Sequence, residues 1–207
     1  AIGTGTQSSG SHSVALGQAY ASGADSFAAA IGSSSSLYGA VASNSIAMGL
    51  SASATNSYGI SIGRDNSVTG STATGIGGQQ NTVSGTHAVV LGGVASTSSG
   101  INSYAFGKRA KAAQNGKYAF GIEQTTNVGS EQAGMLVLAA ETTDATATAL
   151  SSDSSAAGST NQLILENESA MTFTGTVVVR EDASDGDDYA GWEIKGVIMR
   201  QGQASDT

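Results

Sequence analysis

Carboxylates are the first place to look for chemistry, and this sequence spaces them poorly for it. Glycoside hydrolysis needs two carboxyl groups facing each other across the scissile bond, less than about 10 Å apart. The first 122 residues offer only Asp25 and Asp65. If successive layers of chain follow at the strand spacing, about three layers separate them, roughly 14 Å. That argues against a polysaccharide-degrading site. No Ser/His/Asp triad can be assembled either, because the many serines have no base near them.

The remaining candidates are ligand-binding ones. His12 and His87 occupy the same place in a repeat described below but lie about five coils apart, so one chain cannot join them on a metal. Around a threefold axis each could form a ring of three; as turn residues standing in for Asn they need no metal at all. Asp182, Asp185, Asp187 and Asp188 surround Gly186, and calcium loops use such carboxylates. Their spacing misses the Asp-x-Asp-x-Asp-Gly pattern, so a solvated hairpin turn is expected. Lys108, Arg109, Lys111 and Lys117 fall on consecutive coils and form the one candidate binding patch, for an anionic glycan or an acidic partner. Tyr104, Phe106, Tyr118 and Phe120 could offer a sugar platform, although their place in the repeat points to packing. Asn167-Glu168-Ser169 fits a glycosylation acceptor. Cysteine is absent, which excludes disulfides and thiolate metal sites. No cofactor is implied, and the chain is expected not to be an enzyme.

The element that must position these residues is a repeat. Ser103-Tyr104-Ala105-Phe106-Gly107 recurs as Lys117-Tyr118-Ala119-Phe120-Gly121, and earlier as Ser13-Val14-Ala15-Leu16-Gly17 and Ser45-Ile46-Ala47-Met48-Gly49. Looser copies end at Gly3, Gly32, Gly63, Gly77 and Gly92. From Gly3 to Gly121 is 118 residues in eight intervals, a period just under 15. Within each copy the order large, small, large is the two-residue alternation of a strand. Glycine then bends the chain. His12, Asn44, His87, Asn102 and Gly116 sit five places before it, and Asp25 and Asn56 two further back; these types tolerate positive φ. Asn66-Ser67-Val68-Thr69-Gly70 and Asn81-Thr82-Val83-Ser84-Gly85 predict a second, weaker strand. Each repeat is therefore strand, turn, strand, turn: a stacked β-solenoid. Nine layers would extend about 40 Å. So thin a coil buries little alone, and three parallel copies around an axis are expected to cover its remaining faces.

His12-Ser13-Val14-Ala15-Leu16-Gly17 and Asn44-Ser45-Ile46-Ala47-Met48-Gly49 resemble the head repeat of YadA-like trimeric autotransporter adhesins. The resemblance covers about the first 121 residues and implies a trimeric, left-handed parallel β-roll. Longer copies ending at Gly32 and Gly49 depart from it, and small loops are expected there.

Past the roll the texture changes. Glu123 to Gly134 is polar and leaves the repeat, as a connector would. Met135–Ala140 and Asn161–Leu165 predict short strands. Ala170–Arg180 and Tyr189–Arg200 predict a long hairpin, with Gly175 and Gly196 as bulges. Together residues 135–207 predict an antiparallel, sandwich-like domain. Asn161-Gln162-Leu163-Ile164-Leu165, Phe173–Arg180 and Trp192–Ile198 are similar to segments of tail fibres and other virion proteins of marine phages. The expected layout is a roll over 1–122, a connector over 123–134 and a β domain over 135–207.

Charge is divided along the chain. Residues 1–122 carry five basic and two acidic residues, net +3; the rest carries three basic and fourteen acidic, net −11. The total of −8 disfavours nucleic-acid binding. No apolar run is long enough to span a bilayer as a helix. The sequence opens within a repeat, at Ala1-Ile2-Gly3, as part of a longer or processed protein would. The combined expectation is a trimeric structural and adhesive segment of a phage tail fibre or virion appendage, contacting a host receptor or glycan and other virion proteins. The alternatives are a bacterial surface adhesin head and, from another class, a degrading tailspike.

Overall fold

The computed structural model is all β and describes residues 1–32, 37–122, 127–181 and 188–202. Two compact units divide it, Ala1–Leu163 and Ile164–Thr207.

The first unit is the predicted solenoid. Its shorter sheet stacks eight two-residue strands: Gln7–Ser8, Tyr20–Ala21, Gly39–Ala40, Ser53–Ala54, Ser67–Val68, Thr82–Val83, Thr97–Ser98 and Lys111–Ala112. Its longer sheet stacks Val14–Leu16, Phe27–Ala29, Ile46–Met48, Ile60–Arg64, Thr74–Gln79, Val89–Leu91, Tyr104–Lys108 and Tyr118–Ile122. Neighbours are parallel in both sheets, so every layer hydrogen-bonds to the coils before and after it.

The alternation sorts side chains by size. Ala15, Ala28, Ala47, Ser61, Val90, Ala105 and Ala119 point inward from the longer sheet and are fully buried. Ala21, Ala40, Ala54, Val68, Val83, Ser98 and Ala112 do the same from the shorter one. Two sheets folded this tightly hold mostly methyl-sized groups, with Val68, Val83 and Val90 the larger exceptions. At Gly75 even a Cβ would press on Val68 and Val83, at 3.0 and 3.1 Å, so the larger pair is accommodated by the missing side chain.

Polar side chains extend the ladder through the interior. Asn66 Oδ1 accepts the Asn81 N–H at 3.0 Å, and Asn81 Oδ1 accepts the Ser96 N–H at 2.9 Å. Ser96 Oγ then accepts the Ala110 N–H at 3.1 Å. Asn66 and Asn81 are buried, and both donate Nδ2 to nearby carbonyls, which satisfies them. A buried amide is tolerated only when its bonds are made.

The two turns of each coil repeat a left-handed residue. One corner carries His12, Asp25, Asn44, Tyr58, Thr72, His87, Asn102 and Gly116, all at φ between 53° and 71°. In the copy ending at Gly63 it is Tyr58, and not Asn56, that holds this position. The expected phase also fails at Gly32. Phe27, Ala28 and Ala29 pair with Val14, Ala15 and Leu16, so Ala30, at φ 54°, takes the place Gly17 has in the preceding copy. The next step, from Phe27 to Ile46, is therefore 19 residues. Residues 33–36, within the expected loop, lie outside the described residues.

The expected connector turns out to close the solenoid. Gly129 N–H donates to the Arg109 carbonyl at 2.8 Å, continuing the second corner by one layer. Gln132–Met135 then reverses and pairs antiparallel with Tyr118–Ile122, covering the last open edge of the longer sheet. Unpaired edges invite uncontrolled addition of further strands, and this one is covered.

Residues 136–168 hold no strand longer than a single bridge, Ala139 with Ser151. The strands expected at 135–140 and 161–165 are otherwise not formed; Val137 is 76% exposed and finds no core to enter. The segment is tied to the last coil instead, by the Asn115 N–H to the Thr160 carbonyl at 2.7 Å. That tie is why the first unit extends to Leu163.

The second unit is one antiparallel pair, Ser169–Arg180 with Tyr189–Arg200, and among the described residues no second sheet faces it. All twelve rungs keep register. Gly175 and Gly196 are thus not bulges. Each stands opposite a large residue, Ile194 and Phe173, and leaves room for that side chain to lie across it.

Candidate assembly and binding surfaces

The residues that the alternation turns outward form two apolar rows along the longer sheet. One row is Val14, Phe27, Ile46, Ile60, Thr74, Val89, Tyr104 and Tyr118, rung upon rung. The other, two residues on, contains Leu16, Met48, Ile62, Ile76, Leu91, Phe106 and Phe120. Eight layers at the strand spacing make a ridge about 34 Å long. Leu91 is 44% and Phe120 48% exposed in the single chain. Tyr104 stacks on Tyr118 at 4.5 Å between centroids, and Phe106 on Phe120 at 5.2 Å, both nearly coplanar. In-register layers place these rings one above the other. A largely apolar face of this length, interrupted by Thr74, is a candidate contact surface.

The expected basic patch is divided by the fold. Lys108 ends the strand Tyr104–Lys108, whereas Lys117 precedes Tyr118–Ile122. In a parallel pair these are opposite ends, five residues apart in register and so roughly 16 Å. Arg109 lies at a corner, at φ 55°, and Lys111 begins the last strand of the shorter sheet. The closing segment lies over Lys111: a Cβ on Gly129 would come within 2.8 Å of its Cβ. Lys108, Arg109 and Lys111 therefore share one end of a coil, and Lys117 does not join them.

The carboxylates and histidines have local partners. His12 and Asp25 occupy the same corner on successive coils and meet at 3.2 Å, both exposed. Asp65 lies at the other corner and pairs with Arg64 at 3.4 Å. Asp25 and Asp65 are thus on different corners as well as different coils. His87 stacks between Thr72 and Asn102 positions, far from His12. Among the described residues no three His, Asp or Glu side chains gather as a metal site. Asp182, Asp185, Gly186 and Asp187 lie outside the described residues. In Asn167-Glu168-Ser169, Glu168 adopts φ 57° and Ser169 Oγ donates to the Glu166 carbonyl at 2.6 Å, a tight turn entering the hairpin.

One polar cluster had no sequence signal. Asp153 accepts from Asn115 Nδ2 and Asn161 Nδ2, each at 2.7 Å, and from the Ser155 N–H at 3.0 Å. These donors, Asn161 foremost, hold its carboxyl below the usual carboxylate range. Asn115 also accepts the Ile101 N–H at 2.8 Å, so the cluster joins the 150–163 segment to the last two coils. Its members are 38 and 8 residues apart, beyond any local motif.

No family model matches the chain, and no curated protein is significantly similar to it.

Proposed function

We propose that this chain is a non-catalytic structural and adhesive segment of a trimeric phage tail fibre or virion appendage. The observation that carries the reading is the double apolar row on the longer sheet. A coil filled with alanine and serine buries little of its own, while its large side chains face out. Three copies with these rows turned to a common axis would supply the missing core. Closure into a three-membered ring would also leave no apolar edge for open-ended growth. The roll then acts as a stiff spacer through its continuous ladders. The end carrying Lys108 and Arg109 is where an anionic host glycan or acidic partner would be met, with affinity multiplied by three-fold presentation.

Antibodies raised to the purified chain test the biological setting. Gold label on appendages of purified virus particles supports the fibre. Label confined to bacterial envelopes, with particles bare, replaces it by the surface-adhesin reading. Release of reducing sugar from host polysaccharide, lost in Asp25→Asn or Asp65→Asn, would overturn the non-catalytic assignment.

A further inference from the structure

The hairpin of the second unit has two unlike faces. Directly opposed residues in an antiparallel pair share a face. Met171 with Ile198, Gly175 with Ile194 and Val177 with Trp192 lie on one side, and Phe173 lies there across Gly196. Five alternate rungs, from Met171 opposite Ile198 to Val179 opposite Ala190, carry no charged side chain on that side. The other side carries Thr174 opposite Lys195 and Thr176 opposite Glu193. Among the described residues of this unit no second sheet covers the apolar side, and Trp192 is 53% exposed. Among the described residues both outer edges of this two-stranded sheet are also unpaired. Such a hairpin is marginal in water by itself.

We infer that the Phe173/Trp192 face packs against the same face of other copies of this chain, forming a second self-association element beside the roll. This rests on the trimeric reading above. In a trimer the three hairpins are tethered, at an effective concentration on the order of millimolar, so their faces meet without a separate partner. The chemistry of the face fits a copy of itself. It has no charged side chain by which a different protein would be selected, its one polar atom being the Trp192 indole N–H, and interfaces between identical subunits are the more apolar class. Packing like on like brings no charges together on these rungs, and leaves Lys195 and Glu193 in water. Around a threefold axis three such faces enclose one apolar centre.

Trp192 is the sole tryptophan in the 207 residues, so its fluorescence reports this face alone. Acrylamide quenching is measured on the full chain together with its mass by light scattering. The proposal expects a trimer in which quenching is several-fold weaker than for free indole. Phe173→Lys should restore free-indole quenching while the roll keeps the mass trimeric. A trimer whose Trp192 is freely quenched overturns this inference and leaves the trimeric roll standing. A single-chain mass overturns both: with Trp192 shielded, the face is covered by its own chain, and with Trp192 exposed, it is covered by nothing.

Discussion

Gln132 uses its side chain as a missing strand against Lys111. Its Oε1 accepts the Lys111 N–H at 2.7 Å, and its Nε2 donates to the Lys111 carbonyl at 3.3 Å. The main chain at Gln132 meanwhile starts the antiparallel strand that covers the longer sheet. One residue thus closes both sheets of the solenoid.

Gln132→Ala should leave the Lys111 N–H without its partner and cost about 1–3 kcal/mol. Loss should be local first: amide exchange at Lys111 and along Tyr118–Ile122 should accelerate while the central coils keep their protection. Uniform acceleration across all coils would show that the closure has no special place in stability.

Adjacent glycines should respond very unequally to one substitution. Gly92 and Gly93 both have positive φ, 68° and 80°. A Cβ at Gly92 meets nothing within 4 Å, whereas one at Gly93 runs into the carbonyl of Gly107. Asn tolerates the left-handed region, so Gly92→Asn should cost less than about 1 kcal/mol. Gly93→Asn must push two coils apart and should cost about 3 kcal/mol or more. Thermal unfolding of the two variants checks the order.

The interior amide ladder makes a third prediction. Asn81→Leu keeps the branched heavy-atom shape but removes the acceptor for the Ser96 N–H, so a loss of about 1–3 kcal/mol is expected. Asn81→Asp keeps an acceptor but turns a buried charge towards the carbonyls of Gly77 and Gly92, and should lose more. Denaturant melts of both variants should show that ranking; equal and small losses would contradict it.

Acid should loosen the 150–163 segment before the roll. The Asp153 carboxyl is held below its ordinary value of 3.8 by donated hydrogen bonds. A depressed folded value means that its contribution is present above 3.8 and is lost as pH falls through the folded value. Protease cleavage within 150–163 should therefore rise below pH 3.8 in the wild type. In Asp153→Asn it should be raised already at neutral pH and vary less with acid.

The solenoid was legible because one short period repeats in glycines, small residues and left-handed corners together. Position was lost where Ala30 adopts a conformation expected of glycine and where Tyr58, not Asn56, takes the corner, neither of which composition announces. The closing strand was hidden because Gln132 acts through a side-chain amide and through reversed pairing, neither of which leaves a periodic trace. Gly175 and Gly196 look like bulges along either strand alone. Only the pairing shows Ile194 and Phe173 filling their places. The basic residues look like one patch in linear order, but parallel strands carry Lys108 and Lys117 to opposite ends. The cluster around Asp153 joins residues too far apart in sequence for any motif.

The proposed trimer turns the outward rows of large side chains towards companion chains, and light scattering of the purified protein tests this most directly. A mass three times 20.3 kDa is predicted, falling to lower-mass or aggregated species in Leu91→Asp. A stable, β-rich species of 20.3 kDa that keeps Leu91 and Phe120 in water would contradict it.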